Sequence, residues 1–190
     1  MKILLTNDDG YNTPGIQILF EKLRQGHDVI LVAPDREKSA VGHGITLNEP
    51  LRIEPKTAEN GDRVYAVNGT PADCVKLGLF ELFSTPPDLL ISGINPGSNT
   101  GVNINYSGTV AAAKEAALYG ITAMAVSIHS RQVESYEAAA VFIAHLAPDI
   151  YARGLPAGTF LNVNIPNRPL AEIAGVQFSR LDMDFFPEYI

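Results

Sequence analysis

The 190-residue chain holds one cysteine, Cys74, so no intramolecular disulfide can form. That fits a reducing compartment. No apolar run approaches the ~20 residues of a membrane-spanning helix. The N-terminus, MKILLTNDDG, meets acidic residues after a short apolar run. It lacks the longer apolar core and small-residue cleavage site of a secretory signal. The expected setting is the cytoplasm, with no membrane partner. Basic residues are also scarce: 14 Lys and Arg face 21 Asp and Glu, for a net charge of −7, and they do not cluster. This argues against duplex nucleic acid as a partner. A small anion can still be held where a cation or backbone N–H groups act locally. There is no Cys/His cluster for structural zinc. Internal repeats, low-complexity tracts and linkers are missing too.

What is present is an alternation. Hydrophobic residues make up 46% of the chain, enough for a sizeable core without metal or disulfide staples. Short apolar runs at 2–6, 28–33, 88–92, 123–128 and 160–165 read as strands. Segments 15–24, 71–83, 109–119 and 134–151 read as helices, with Pro14 and Pro71 near two of the starts. Between 44 and 67 lie short β-like pieces, ITL, LRI and RVYAV, expected to form a local antiparallel hairpin excursion. Residues 175–181 suggest one more strand. The aromatics of DMDFFPEYI are expected to pack on a partner or on chain beyond this end. The alternation predicts one α/β domain, residues 1–190, with a mostly parallel sheet covered on both faces.

In such sheets ligands bind beyond the carboxyl ends of the strands. Three polar loops emerge there. The first carries Asn7, Asp8 and Asp9. The second is PDREKSAVGHG, with Asp35, Ser39 and His43. The third, GINPGSNTGVNINYSGT, crowds Asn95, Asn99, Asn103 and Asn105 among glycines and runs into a helix that Ser107 or Thr109 can cap. Free N–H groups at such a helix start favour an anion. The GxxxxGK[ST] pattern is absent.

Adjacent carboxylates repel each other unless a cation neutralises them. Oxygen donors of this kind (two carboxylates, a hydroxyl, an amide carbonyl) suit Mg²⁺ or Mn²⁺. A hard cation beside an anion-binding helix start suits phosphoryl chemistry. Each part also has a plainer reading. The Asp pair can be a cap-and-turn signal, Ser39 a helix cap and the Asn/Gly loop a self-held Ω-loop. His43 reads as a structural or rim histidine, and His27, His129 and His145 show no pattern. Lys114 and Glu115 read as a solvated helix face, and Cys74 as a small core residue.

Taken together, LLTNDDG, APDREKSAVGH, VNGTPADCVKLGL, SGINPGSNTG and YSGTVAAAKEA resemble, in this order, the SurE (survival protein E) family. FLNVNIPN and RLDMDFFPE are similar to its later segments. Ala116 stands where glycine is usual, and Gly42 and Gly44 flank His43 where polar residues are usual. The resemblance implies a Rossmann-like three-layer domain. It also implies a metal-dependent nucleotidase acting on nucleoside 5′- and 3′-monophosphates, with short polyphosphate as a further substrate. One divalent ion per subunit, Mg²⁺ or Mn²⁺, would be held by Asp8, Asp9, Ser39 and Asn95. Asp8 and Asp9 would also serve catalysis. Asn7, Ser107, Gly108 and Thr109 would contact phosphate. Family chains run some tens of residues further, so a C-terminal segment is expected to be missing; where it is present, dimers or tetramers are expected.

Two rival readings remain at this stage. A nicotinamide- or sugar-nucleotide-binding protein would want GxGxxG after the first strand, where this chain has NDDGYNTPG. A non-catalytic nucleotide- and metal-binding stress-response module would use the same residues without turnover.

Overall fold

The structure is a computed structural model that describes residues 1–57 and 62–181. Seven strands form one sheet: β1 (Lys2–Thr6), β2 (Asp28–Pro34), β3 (Ile53–Thr57), β4 (Arg63–Val67), β5 (Leu89–Pro96), β6 (Ala123–Ile128) and β7 (Leu161–Ile165). Their order is β3-β4-β2-β1-β5-β6-β7. All neighbours are parallel except β3 and β4, which form the antiparallel pair at one edge. Ile3, Leu4 and Leu5 are all fully buried, because parallel strands are covered on both faces.

Among the described residues four α-helices supply the cover: α1 (Pro14–Leu23), α2 (Pro71–Leu77), α3 (Gly108–Leu118) and α4 (Glu137–Arg153). Ile16, Leu19 and Leu23 of α1 and Ile143 of α4 pack with Ile3, Leu5, Leu89 and Ile91. Cys74 and Val75 of α2 and the alanines of α3 pack with Leu4, Ile30, Val32 and Leu90 on the opposite face. The alternation along each strand sorts its side chains between these two cores. Among the described residues no helix is long and apolar enough to cross a membrane.

From β1 the chain moves one way to β2 through α1. From β5 it moves the other way to β6 through α3, on the opposite face, so these two crossovers share one hand. β6 to β7 continues in the second direction but with α4 on the face of α1. That crossover has the opposite hand, against a strong general preference. The reversal of direction lies between β1 and β5, where α/β sheets open a crevice at their carboxyl ends.

Some expectations are corrected. ITL, residues 45–47, forms no strand, and of LRI only Ile53 joins one. The helix expected over 71–83 is α up to Leu77 and a wider π-turn over Gly78–Leu82. Residues 175–181 form no strand, and Val176 and Phe178 are exposed there. The aromatic tail beyond 181 lies outside the described residues.

Candidate metal and phosphate site

A cleft of about 520 Å³ opens at the carboxyl rim, lined by Asp8, Ser39, Asn95, Asn103, Ser107 and Arg131 among others. Residues of all three polar loops therefore meet in one place. Asn95 reaches it through an irregularity in β5, where the pairing with β6 shifts between Ser92 and Asn95. Such bulges re-aim side chains at sheet rims. Gly93, within that shift, presses so close to the Val126 carbonyl that a Cβ would collide with it. The Asn95 amide nitrogen donates to the Gly97 carbonyl at 2.6 Å, which leaves its side-chain oxygen as the open ligand atom.

Asp8 is 5% exposed. Burial raises its pKa, against the opposing pull of the Thr109 hydroxyl and of the N–H groups of Thr109, Asp8 and Gly108. The Thr109 hydroxyl donates to Asp8 Oδ1 at 2.6 Å. Asp8 therefore occupies the anion position at the start of α3 that the sequence reading reserved for phosphate. Two residues expected to contact phosphate, Gly108 and Thr109, face Asp8 and do not line the cleft. Thr109 is fully buried and spends its hydroxyl on Asp8. Gly108 packs on Asp8, and a Cβ there would sit 2.7 Å from Asp8 Cβ.

Asn7 also lies off the cleft lining. Its amide nitrogen donates to the Gly10 carbonyl at 2.9 Å and to Thr13 Oγ1 at 3.0 Å. Its oxygen accepts from the Gly10 N–H at 3.1 Å. The side chain is fully buried and shapes its own loop. Ser107, by contrast, lines the cleft. Its oxygen accepts from the Val110 N–H at 3.1 Å, capping α3, so its hydroxyl hydrogen stays available.

Asp9 does not line the cleft. Its pKa is pushed up to about 7 by burial, then by the charge of Asp8, then by that of Glu37. Ser39 donates to Glu37 Oε1 at 2.6 Å, and Ala40 beside it adopts φ +57°, unusual for a side-chain-bearing residue. Among the described residues no group of three or more His, Cys, Asp or Glu side chains is gathered to hold a metal by itself. An ion here would rely on the neutral oxygens of Ser39 and Asn95 beside the Asp8–Asp9 pair. The donors are all oxygen and the carboxylates electrostatically strained, so the residues fit a hard divalent cation.

The supporting roles of several residues escaped the sequence reading. Asn99 holds the third loop: its N–H donates to Asn164 Oδ1, its amide nitrogen to Ser127 Oγ, and its carbonyl accepts from Asn162 and Asn164. The signal was the NVN alternation, which puts two amides on one face of β7. Glu115, expected in solvent, is 7% exposed and faces His43. His129, Ser130 and Arg131 join the cleft from the end of β6, a position that the carboxyl-rim rule could have flagged.

The family model described as survival protein SurE matches residues 3–187. A protein of Desulfatibacillum aliphaticivorans named 5′-nucleotidase SurE is 56% identical over 180 residues, 95% of this chain and 71% of its own length. One of the same name from Syntrophobacter fumaroxidans is 51% identical over 180 residues, 95% of this chain and 72% of its own. The crystal structure of the SurE protein from Aquifex aeolicus superposes with a TM-score of 0.88 at 43% identity, covering 96% of this chain and 73% of that one. A model match across most of the chain, relatives at about half identity and a shared fold leave one conclusion: this chain belongs to the SurE family.

Proposed function

We propose that the chain is a divalent-cation-dependent phosphomonoesterase that hydrolyses nucleoside monophosphates, as the name 5′-nucleotidase carried by its relatives suggests. The observation that carries this reading is the meeting of Asp8, Ser39 and Asn95, from three loops distant in sequence, along one cleft. Asp8, Asp9, Ser39 and Asn95 would hold one Mg²⁺ or Mn²⁺. When bound, such an ion supplies positive charge that stabilises the phosphoryl oxygens and lowers the pKa of water.

The chain's own residues divide the remaining work. Thr109 and the start of α3 hold Asp8 in one orientation. Asp9 has no such clamp among the described residues and is the carboxylate available to take a proton from the attacking water. Ser107 offers its hydroxyl hydrogen to a phosphoryl oxygen. Asn99, tied to β6 and β7, keeps the floor of the cleft rigid. Water attacks phosphorus as the ester P–O bond breaks; the ester oxygen leaves with the nucleoside and gains a proton to become its hydroxyl, balancing the one Asp9 took from water, and phosphate is released.

Phosphate release from AMP and GMP, with and without Mn²⁺ after chelation, tests the reading. Ion-dependent release that Asp8→Asn abolishes is expected. Binding of nucleotide without any release would instead identify a non-catalytic module.

A further inference from the structure

The cleft has a charge deficit on its cationic side. Beside it, Asp9 faces the negative charges of Asp8 and Glu37. A divalent ion cancels the aspartate pair and no more. A phosphate monoester brings up to two further negative charges at neutral pH, into a chain of net charge −7. Among the described residues that line the cleft, Arg131 is the one side chain that is always positively charged.

Its setting is built for reach. The backbone around it is fixed: the His129 N–H donates to the Ile165 carbonyl at 2.8 Å and the Ser130 N–H to the Ile128 carbonyl at 2.7 Å. Ser130 Oγ closes the turn by donating to the Gln132 carbonyl and accepting from the Gln132 N–H. The arginine side chain, in contrast, forms no ion pair among the described residues. Its stem lies across Gly97. A Cβ on Gly97 would be 3.8 Å from Arg131 Cγ and 4.0 Å from the Asn95 amide nitrogen. The arm thus starts beside the side-chain amide of Asn95, over a residue whose missing side chain leaves it room.

We propose that Arg131 is the phosphate-contacting cation of this cleft, its guanidinium fork taking two oxygens of the monoester. The fork geometry matches two phosphate oxygens, and a charge-assisted pair is stronger than a neutral hydrogen bond. The nature of the ester rests on the nucleotidase reading; the anion contact does not.

The test uses the Mn²⁺-loaded protein and inorganic phosphate as probe. Calorimetric titration should show phosphate affinity falling roughly 10- to 100-fold in Arg131→Gln, the loss expected for one charge-assisted contact. Arg131→Lys, which keeps the charge and loses the fork, should fall in between. Mn²⁺ affinity measured by electron paramagnetic resonance, without phosphate, should be unchanged, which separates a lost contact from a damaged site. The kcat/KM for a nucleoside monophosphate should drop by the same factor as the phosphate affinity. Phosphate affinity within about twofold of the parent in Arg131→Gln would overturn the proposal. If the parent protein releases no phosphate from nucleotides while phosphate binding still depends on Arg131, the nucleotidase reading fails and the anion contact stands.

Discussion

His43 Nε2 and Glu115 Oε2 lie 2.6 Å apart, joining residues 72 positions apart in the chain. The pair ties the loop after β2 to the side of α3, and the Gly42 N–H, donating to the Tyr106 carbonyl at 3.0 Å, adds a second stitch. Ser39 sits in that loop and Asp8 is held at the head of that helix. The pair therefore sets the spacing between two of the proposed ligands. His43→Ala leaves a buried carboxylate without its partner, which costs about 1–3 kcal/mol. Denaturant unfolding should show that loss, and Mn²⁺ affinity should weaken with it. Glu115→Gln, which keeps a polar partner for the imidazole, should lose less of both.

The Asp8 clamp gives a second expectation. Thr109→Val keeps the shape of the side chain and removes the hydroxyl that favours the ionised carboxylate. Asp8 then holds its proton to higher pH. The acid limb of the activity profile should move upward, with KM for the nucleotide changing less than the requirement for ion. An unmoved acid limb would remove Asp8 from the ion-binding step.

Asp9 ties stability to pH in a direction opposite to that of an ordinary salt-bridged aspartate. Its folded pKa is raised to about 7, while an unfolded aspartate titrates near pH 4. The folded state thus binds more protons in that window, and stability falls as pH rises through it. The contribution is fully present below the unfolded value and lost as pH passes the folded one. In chelator-treated protein, melting temperatures from about pH 5 to about pH 8 should fall more steeply than in Asp9→Asn. Adding Mn²⁺ at the alkaline end should restore the parent and leave the variant unmoved.

Gly108→Ala tests the close approach of loop and helix. The new methyl would meet Asp8 Cβ at 2.7 Å and Asp8 Oδ2 at 2.9 Å. Either Asp8 or the head of α3 must move. A destabilisation of roughly 1–3 kcal/mol is expected, as for other overpacked sites, together with loss of ion-dependent turnover.

Ser92→Ala serves as the contrasting case. Ser92 and Thr6 are paired across β5 and β1, both fully buried, and neither hydroxyl has a partner among the described residues. Removing an unpaired buried hydroxyl relieves a desolvation penalty. Stability measured by thermal unfolding should hold or rise, with turnover unchanged.

Much of the architecture was legible because its signals are local. Apolar runs of five or six residues marked β1, β2 and β6, and Pro14 and Pro71 marked helix starts. The piece at 45–47 misled because alternation alone does not supply a neighbouring strand, and the pairing of β3 with β4 uses residues further on. Glu115 misled for a similar reason. On an alanine-rich helix a single carboxylate looks solvated until a distant loop brings a histidine to it.

By itself the sequence determined which polar residues gather at the carboxyl rim, since strand ends and glycine-rich loops follow from local pattern. It also carried the family resemblance through its ordered motifs. Tertiary structure alone decided how those residues are used. Asn7 and Thr109 are spent on their neighbours, Asp8 takes the head of α3, and Arg131 arrives from a fourth loop. The physical reason is that a hydrogen-bond donor serves few partners, and which partner lies within 3 Å depends on segments that only folding brings together.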